Sequence, residues 1–365
     1  MQVAGGRLTF LGQPDVIEVS GSAYEQGRIH GQRARQAIIA NIKEIRRWMD
    51  EVSSRGRRWD HEGVLSRNER FISRVSPEAL EEVRGIADGA GLSYRETLEL
   101  NAPLFVAAAF LPLDCSQLLL RPPATRDGGT YLAKTRDLRG WLDHVVLHRR
   151  EAGGRELAEV HVAGSVTWPG SGVSSDGVAF STSGCWSPRT IVDLDRADAS
   201  WLLTNGHLLL RDSRTLDEFV AHLDAQPRMC PLNVVAADSR GGAAVEVTAD
   251  RVYRSDAEGG VLIRTNHFLT PEIRAQVPTP DENPSSYHRY AVATRKLRAG
   301  GEAWDLGAMI TLLGDHEGYP QNSICRHSQN GEGSDTAYAS IAVLPAGEFW
   351  TTLAHPCGVQ APLGR

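Results

Sequence analysis

The strongest constraint on the fold is a change of sequence pattern near Cys115. Before this residue, helix-start signals and runs of strong helix formers predict a mainly helical segment. After it, short β-rich runs follow one another, interrupted by two predicted helices, TLDEFVAHLDA and the stretch around SSYHRYAVATRKLRAG. Helices followed by many strands, without strand–helix alternation, predict an α+β fold with layered packing.

Two helix starts in the first part carry clear local signals. Ser22 and Glu25 have the spacing of a capping box, which predicts a helix from residue 22 to about residue 50. Ser76 followed by Pro77 predicts the start of a second helix, PEALEEVRGIADGA, because proline is favoured in the first helical turn. An opening strand, VIEVS, is expected just before the first of these helices.

Composition and charge exclude several classes of function. The net charge is −6, and acidic and basic residues are interspersed, so no electrostatic footprint for nucleic acid or an anionic membrane is present. The first residues lack the pattern of a signal peptide, and no stretch is long and apolar enough for a membrane span, which predicts a cytoplasmic protein. A small polar or amphipathic substrate is the better expectation.

Neither a metal nor a cofactor is expected from the motifs. The five cysteines are Cys115, Cys185, Cys230, Cys325 and Cys357. Their odd number leaves at least one thiol free, and none lies in a CxxC or CxxH pair that would indicate zinc. A metalloenzyme using His316, Glu317 and His327 is disfavoured because the adjacent His-Glu pair is not an HExxH motif. Phosphate-binding and dinucleotide-binding glycine motifs are also absent.

Several motifs in a fixed order carry a resemblance to a known family. They are LPLDCSQLLL, AKTRDL, RTNHF and SICRH, with VIEVSGSAYEQGRIHGQ before them and GSGVSSDGVAFS between them. Together they resemble the penicillin acyltransferase family (acyl-CoA:6-aminopenicillanic acid acyltransferase and its bacterial relatives), a group of N-terminal nucleophile hydrolases. The likeness spans nearly the whole chain. It implies the four-layer αββα sandwich of those hydrolases, with two antiparallel sheets between helices.

The resemblance also implies that the chain cuts itself between Asp114 and Cys115. Residues 1–114 would then form a helical propeptide or α-subunit that stays associated, and residues 115–365 a catalytic β-subunit within one integrated domain. The freed α-amine has a pKa of about 7.7–8.0, close to about 8.5 for a thiol, so it can take the proton of its own cysteine side chain. No catalytic histidine is then required.

Three further residues match positions that are catalytic in the family. Asp137 in KTRDL matches the aspartate beside the nucleophile, which orients or stabilises the ammonium terminus. Asn266 in RTNHF matches an asparagine whose side-chain amide donates to the oxyanion, and Arg326 in SICRH matches an arginine near the mouth of the active site. The alternatives are a turn carboxylate, a turn-capping asparagine and a surface salt bridge.

Weaker candidates depart from the family pattern. Lys134 lies where relatives carry arginine or glutamine, so an exposed lysine is an equal alternative to a role in positioning substrate. Ser174 occupies a position where many relatives have asparagine, which puts its contribution to the oxyanion site in doubt. Asn233 in LNVVAAD could line the pocket or make a hydrogen bond at a strand edge.

The favoured function is hydrolysis of a linear amide, or transfer of its acyl group to an amine, through a Cys115 thioester. The substrate would be an N-acyl or peptide-like small molecule. The alternatives are an acyl-CoA-dependent N-acyltransferase and an unprocessed binding protein on the same fold. A papain-like pair with His267 or His327 as base is disfavoured, because its CGSCW frame is absent and His267 is expected to be structural.

Overall fold

A computed structural model gives the arrangement of most of the chain. It describes residues 7–12, 15–54, 60–101, 114–138, 142–166, 170–185, 206–227, 231–301, 304–328 and 333–359. Cys230 and the residues directly before Asp114 lie outside these ranges. The described part is a mixed α+β structure with two sheets and helices packed on both of them.

Two of the helices before Cys115, Ala23–Arg33 and Pro77–Ala90, begin where the local signals predict. The helices of this part are α1 (Ala23–Arg33), α2 (Arg35–Ser54), α3 (His61–Val75), α4 (Pro77–Ala90) and α5 (Tyr94–Asn101). Ser22 and Glu25 form the predicted capping box, with Glu25 N–H donating to Ser22 Oγ at 3.3 Å and Ser22 N–H donating to Glu25 Oε2 at 2.7 Å. Pro77 begins α4 as expected.

Two features of the helical part differ from the prediction. The single helix expected from residue 22 to about 50 is divided at Ala34, which leaves the helical conformation with ψ near 13°. Residues with high helix propensity lie on both sides of Ala34, and propensity carries no information about a change of helix direction. The break could therefore not be predicted from these residues. The sequence analysis also did not predict α3.

After Cys115 come four more helices in the described residues. They are α6 (Gly206–Asp212), α7 (Leu216–Ala225), α8 (Pro284–Ala299) and α9 (Leu306–Leu313). The structure confirms α7 and α8, and Thr215 caps α7 by accepting the N–H of Glu218 at 3.1 Å. Among the described residues, no helix combines the length and apolarity that crossing a membrane requires.

Two sheets make up the centre of the molecule. The strands are β1 (Thr9–Gly12), β2 (Val16–Ser20), β3 (Asp114–Leu120), β4 (Thr130–Leu138), β5 (His144–Arg150), β6 (Glu156–Val162), β7 (Ser171–Ser174), β8 (Ala179–Gly184), β9 (Leu232–Ala237), β10 (Gly242–Val247), β11 (Val252–Asp256), β12 (Val261–Arg264), β13 (Asp335–Leu344) and β14 (Glu348–Thr352). One sheet has the order β1-β14-β13-β4-β3-β12, and the other β11-β10-β9-β8-β7-β6-β5-β2.

The sheets are antiparallel except at one edge of each. There, β1 pairs with β14 and β2 pairs with β5, and both pairs are parallel. This corrects the expectation of two purely antiparallel sheets. Pairing partners so distant in sequence leave no hairpin signal, so local reasoning had no means to find them.

Apolar clusters define four layers. One cluster lies between the sheets and joins Leu119 and Leu132 of the six-stranded sheet to Val146 and Val235 of the eight-stranded sheet. A second packs α8 and α9 on the other face of the six-stranded sheet, and two more pack the remaining helices against the eight-stranded sheet. The predicted αββα sandwich is therefore confirmed.

Helices α1 and α4 are in direct backbone contact through glycines. The residues concerned are Gly27, Gly31, Gly85 and Gly89. A Cβ atom added to Gly85 would collide with the carbonyl oxygen of Tyr24, and one added to Gly27 with that of Glu82. These contacts involve backbone atoms, which cannot rotate away, so the two helices can approach this closely only with glycine at the crossing.

Replacing Gly85 with alanine tests this contact, because helix propensity predicts a more stable protein and the close packing predicts a less stable one. In an open helix the change would stabilise the protein by up to about 1 kcal/mol. Because the new methyl group meets backbone, we expect Gly85→Ala to lower the free energy of unfolding by about 1–3 kcal/mol in urea denaturation. The control is Gly241→Ala, whose Cβ meets only Leu216 Cδ2 at 3.6 Å. A stabilised Gly85→Ala variant would refute the close crossing.

Candidate active site

Cys115 is the second residue of β3, which lies between β4 and the edge strand β12 of the six-stranded sheet. Asp114 and Cys115 are consecutive residues of this strand, so the structure is that of the uncut chain. The thiol residue is 2% exposed. In the ladder with β4, Asp114 is opposite Asp137 and Cys115 is opposite Arg136. Strand β4 therefore pairs with the cysteine on one side, and α8 contacts β3.

Lys134 provides the charged group beside the sulfur. Lys134 is opposite Gln117 in the ladder, and Gln117 is two residues after Cys115 on β3. The side chains of Lys134 and Cys115 therefore lie on the same face of the sheet. Its Nζ lies 3.7 Å from Cys115 Sγ and donates to the carbonyl oxygen of Thr182. The side chain is fully buried, and burial lowers its pKa to about 8 although Cys115 opposes this shift. The alternative of an exposed lysine is wrong.

Asn266, directly after β12, holds the backbone nitrogen of Cys115. Its Oδ1 accepts the N–H of Cys115 at 2.9 Å and Nη2 of Arg289 at 2.9 Å, while its Nδ2 donates to the carbonyl oxygen of Gly184 at 2.8 Å. Donors on one side and an acceptor on the other fix the orientation of the amide. In the uncut chain its oxygen, not its N–H group, therefore faces the nucleophile residue, and its role as oxyanion donor stays a prediction.

Arg289 of α8 is a central site residue that the sequence analysis missed. Its guanidinium is completely buried, donates to the carbonyl oxygen of Cys115, and reaches Ser116 Oγ at 3.1 Å and Asp114 Oδ1 at 3.0 Å. Burial lowers its pKa from the ordinary value. A usable signal existed, because Arg289 lies three and four residues before Val292 and Ala293 and so on the apolar face of a predicted helix.

Asp114, the residue before the nucleophile, carries a buried charge. Its Oδ1 accepts from Arg289 and from Asn283 Nδ2 at 3.2 Å, and its Oδ2 accepts from Arg326. Burial alone would raise the pKa of Asp114, but the two guanidinium groups lower it below its ordinary value. Asp114 is therefore ionised at neutral pH. Arg326 is itself buried, so the alternative of a surface salt bridge is wrong.

Asp137 faces Asp114 across the ladder but has a different environment. Its Oδ1 accepts the hydroxyl of Thr336 at 2.7 Å, and its Oδ2 has no hydrogen-bond partner among the described residues. Burial raises its pKa to about 6, opposed by Arg289 and Arg326. Its position within β4, with no exposed surface, rules out the alternative of an ordinary turn carboxylate.

The other two weaker candidates, Asn233 and Ser174, lie in different parts of the structure. Asn233 of β9 is buried, and its Nδ2 donates to the carbonyl oxygens of Thr265 and His267, each at 3.0 Å, so it holds the segment that carries Asn266. Ser174 ends β7, and its Oγ accepts the N–H of Val178 at 3.3 Å within the turn to β8. In the β7–β8 hairpin, this turn lies at one end and Thr182 lies at the other end. The structure thus does not bring Ser174 together with Lys134.

The histidines of the papain-like alternative have other partners. Nδ1 of His267 lies 2.8 Å from Ser286 Oγ, its ring stacks on Tyr287 with centroids 3.9 Å apart, and burial lowers its pKa to about 4. Nε2 of His327 faces His316 Nε2 at 3.1 Å. Within the part of the chain that the structure describes, neither ring makes a hydrogen bond to Cys115. Neither histidine therefore forms a catalytic pair with Cys115.

Comparisons with known proteins point to one family. The profile described as acyl-coenzyme A:6-aminopenicillanic acid acyl-transferase matches residues 124–356, a range that contains Lys134, Asp137, Asn266 and Arg326 but begins after Cys115. No curated protein matches the chain. A solved structure of penicillin V acylase from Agrobacterium tumefaciens is similar over 62% of this chain and 78% of its own, with 13% identity and a TM-score of 0.38.

The environment of Asp137 predicts a pH-dependent stability effect. The pKa of this carboxyl rises from its ordinary 3.8 to about 6 in the fold, so its ionisation costs the folded protein stability as pH rises through that window. Asp137→Asn removes the charge and keeps an oxygen for Thr336. We expect it to match wild type near about pH 4 and to exceed its free energy of unfolding by up to about 3 kcal/mol near about pH 8. Urea unfolding at both pH values measures this, and a pH-independent difference would contradict it.

Proposed function

Because this chain belongs to the acyl-coenzyme A:6-aminopenicillanic acid acyl-transferase family, we propose that it is a self-processing N-terminal cysteine enzyme acting on amide bonds. It would cut the bond between Asp114 and Cys115 and then use Cys115 to form a thioester with the acyl part of its substrate. The observation that carries the proposal is the surroundings of Cys115, whose nitrogen is held by Asn266 Oδ1 and whose sulfur lies beside Lys134 Nζ.

The first step uses the side chain of Cys115 against its own backbone. Sγ attacks the carbonyl carbon of Asp114, the C–N bond to Cys115 breaks, and the nitrogen leaves as a free α-amine. Water then hydrolyses the thioester, which yields a new carboxylate on Asp114 and restores the thiol. No free amine exists before this cut, so the uncut chain needs another group to promote ionisation of the thiol.

Lys134 suits that need. As an ammonium group 3.7 Å from Sγ it stabilises a thiolate, and with a pKa of about 8 a fraction of it is neutral and able to accept the thiol proton at neutral pH. Its buried position keeps the interaction strong because water does not screen it. Lysine at this position therefore gives the chain a base that acts before the α-amine appears.

After the cut, the α-amine of Cys115 becomes the base for later steps. The hydrogen bond to Asn266 Oδ1 would persist with the amine as donor, which keeps nitrogen and sulfur in register. Asp137 offers an acceptor without a hydrogen-bond partner among the described residues, opposite Asp114 in the ladder, which favours the ammonium form nearby. A substrate acyl group would then bind Sγ as a thioester, and either water or an amine would release it.

The substrate class follows from the family and from the covalent step. A thioester forms from any linear amide whose carbonyl reaches Sγ, so hydrolysis of an N-acyl or peptide-like small molecule and transfer of its acyl group use the same machinery. An acyl-CoA donor is the second candidate, favoured by the family's description. Its thioester would pass the acyl group to Cys115 by thiol exchange, and an amine would then take the acyl group from it.

The segment before the cut is expected to remain bound as a subunit. Strand β1 pairs with β14 and β2 pairs with β5, so residues before Cys115 belong to both sheets. Helices of the same segment share an apolar cluster with strands that follow the cut. Breaking one peptide bond leaves all of these contacts in place.

Mass spectrometry of the purified protein tests the proposed cut. We expect one fragment that ends at Asp114 and one that begins at Cys115, eluting together in size-exclusion chromatography. Cys115→Ala should leave the chain intact because it removes the nucleophile. The matched control is Cys185→Ala, a buried thiol whose pKa burial raises well above its ordinary value, and it should be processed normally. A fully active chain that stays continuous across residues 114 and 115 would refute the proposal.

A second test concerns the lysine beside the sulfur. We expect Lys134→Met to slow self-cleavage by about 10²–10⁴-fold, because the uncut chain loses the group that promotes the thiolate. Lys296→Met of α8, a partly exposed lysine paired with Asp315, should leave the rate unchanged. Time courses of intact mass after expression give the rates, and circular dichroism checks that each variant is folded. Processing of Lys134→Met at the wild-type rate would exclude this role.

Substrate identity can be approached through the acyl-enzyme. N-acyl amides, short peptides and acyl-CoA thioesters are each mixed with the processed enzyme, and the mass of the fragment beginning at Cys115 is followed. A mass increase equal to the acyl group identifies an accepted donor. Product analysis with and without an added amine then separates hydrolysis from acyl transfer.

A further inference from the structure

Four potential metal ligands converge away from the sulfur of Cys115. They come from the turn after α9, the segment before β13 and the short 3₁₀ helix Pro356–Gly358 after β14. The four residues are His316, Cys325, His327 and Cys357, and one ligand atom from each lies within 4.8 Å of all the others. Two thiols and two imidazoles within one such space form a recognised donor set for zinc.

The three distances from His327 Nε2 to the other ligand atoms are close to the edges of a tetrahedron around zinc. With Zn–N bonds of about 2.0–2.1 Å and Zn–S bonds of about 2.3 Å, tetrahedral edges are about 3.3 Å between two nitrogens and about 3.6 Å between nitrogen and sulfur. Nε2 of His327 lies 3.1 Å from His316 Nε2, 3.7 Å from Cys325 Sγ and 3.4 Å from Cys357 Sγ. The other three distances between the four ligand atoms are no longer than 4.8 Å.

We propose that His316, Cys325, His327 and Cys357 bind one structural zinc ion. Thiolate and imidazole ligands select zinc over magnesium or calcium, which take oxygen ligands. Four protein ligands complete the coordination shell and leave no open position for water or substrate, so the ion is structural and not catalytic. The site ties the C-terminal 3₁₀ helix to two segments that precede β13.

The proposed ion would also anchor a residue of the active site. Cys325 directly precedes Arg326, whose guanidinium binds Asp114 and whose backbone N–H donates to Thr336 Oγ1 at 2.9 Å. The same Thr336 hydroxyl donates to Asp137. Fixing Cys325 therefore fixes the backbone from which the Arg326 side chain reaches the carboxylate of Asp114. The zinc proposal itself rests on the ligand geometry and is independent of the proposed function.

The first test measures metal in the unmodified protein. Wild type is purified with a reductant and without chelator, and zinc is quantified by inductively coupled plasma mass spectrometry. We expect about one zinc ion per chain. After chelator removes the metal, Co²⁺ is added, and thiolate-to-cobalt charge-transfer bands together with the visible bands of four-coordinate Co²⁺ should appear.

Ligand variants locate the ion. Cys357→Ser and His316→Ala should each weaken zinc binding by more than about 10-fold in competition with a chromophoric chelator. The matched controls are Cys185→Ser, a buried thiol elsewhere, and His222→Ala, an exposed histidine of α7, and both should bind zinc as wild type does. Circular dichroism shows whether each variant is folded, and the wild-type measurement stands even if a variant is not.

Three results would overturn the proposal, the first two of which concern metal binding by wild type. One is fully reduced wild type that binds neither added zinc nor Co²⁺. The other is a Cys325–Cys357 disulfide, seen as the loss of two hydrogens in the intact mass, in a protein that binds no metal even after reduction. A cobalt spectrum that lacks thiolate charge transfer would also contradict it, because the two cysteines would then not be ligands.

Discussion

The site depends on the ion pairs that the buried carboxylate of Asp114 forms with two guanidinium groups. Arg289 from α8 and Arg326 from the segment before β13 both pair with it, and all three residues are buried. None of these charges would be tolerated there alone, because an unpaired buried ion costs several kcal/mol. Their mutual compensation therefore binds a helix and a loop, which come from distant parts of the chain, to the first residue of β3.

This ion cluster also bears on the chemistry proposed for Cys115. Before the cut, two guanidinium groups face one carboxylate of Asp114. The proposed cut would give residue 114 a second carboxylate, which these guanidinium groups could bind, and would give Cys115 an α-amine that is positively charged when protonated. Arg289 also donates to the carbonyl oxygen of Cys115 and to Asn266 Oδ1, and so couples this charge to the groups that hold the nucleophile. The same contacts would therefore be available to hold both new termini that the proposed cut creates.

Much of the fold was accessible from local patterns, and part of the site was not. The capping box at Ser22 and the N-cap hydrogen bond at Thr215 each depend on residues three apart, so the sequence displays them directly. The parallel pairs at the sheet edges, the burial of Lys134 and the position of Arg289 depend on contacts between distant segments. His316 and Cys357 are likewise far apart in sequence, and they meet only because the segments before β13 and after β14 lie side by side. A search for short cysteine and histidine motifs cannot detect such a site.

The positions of β1 and β2 bear on whether the residues from Cys115 onward could be synthesised without the segment that precedes them. Each covers one outer edge of a sheet, so the backbone groups of β14 and β5 on those sides are already hydrogen-bonded. A polypeptide that begins at Cys115 and is synthesised without the preceding residues would expose both edges as unpaired templates. Such edges recruit strands from other molecules and lead to aggregation. The leading segment therefore supplies the last strand at one edge of each sheet, and a single continuous chain provides it in a one-to-one ratio with the rest.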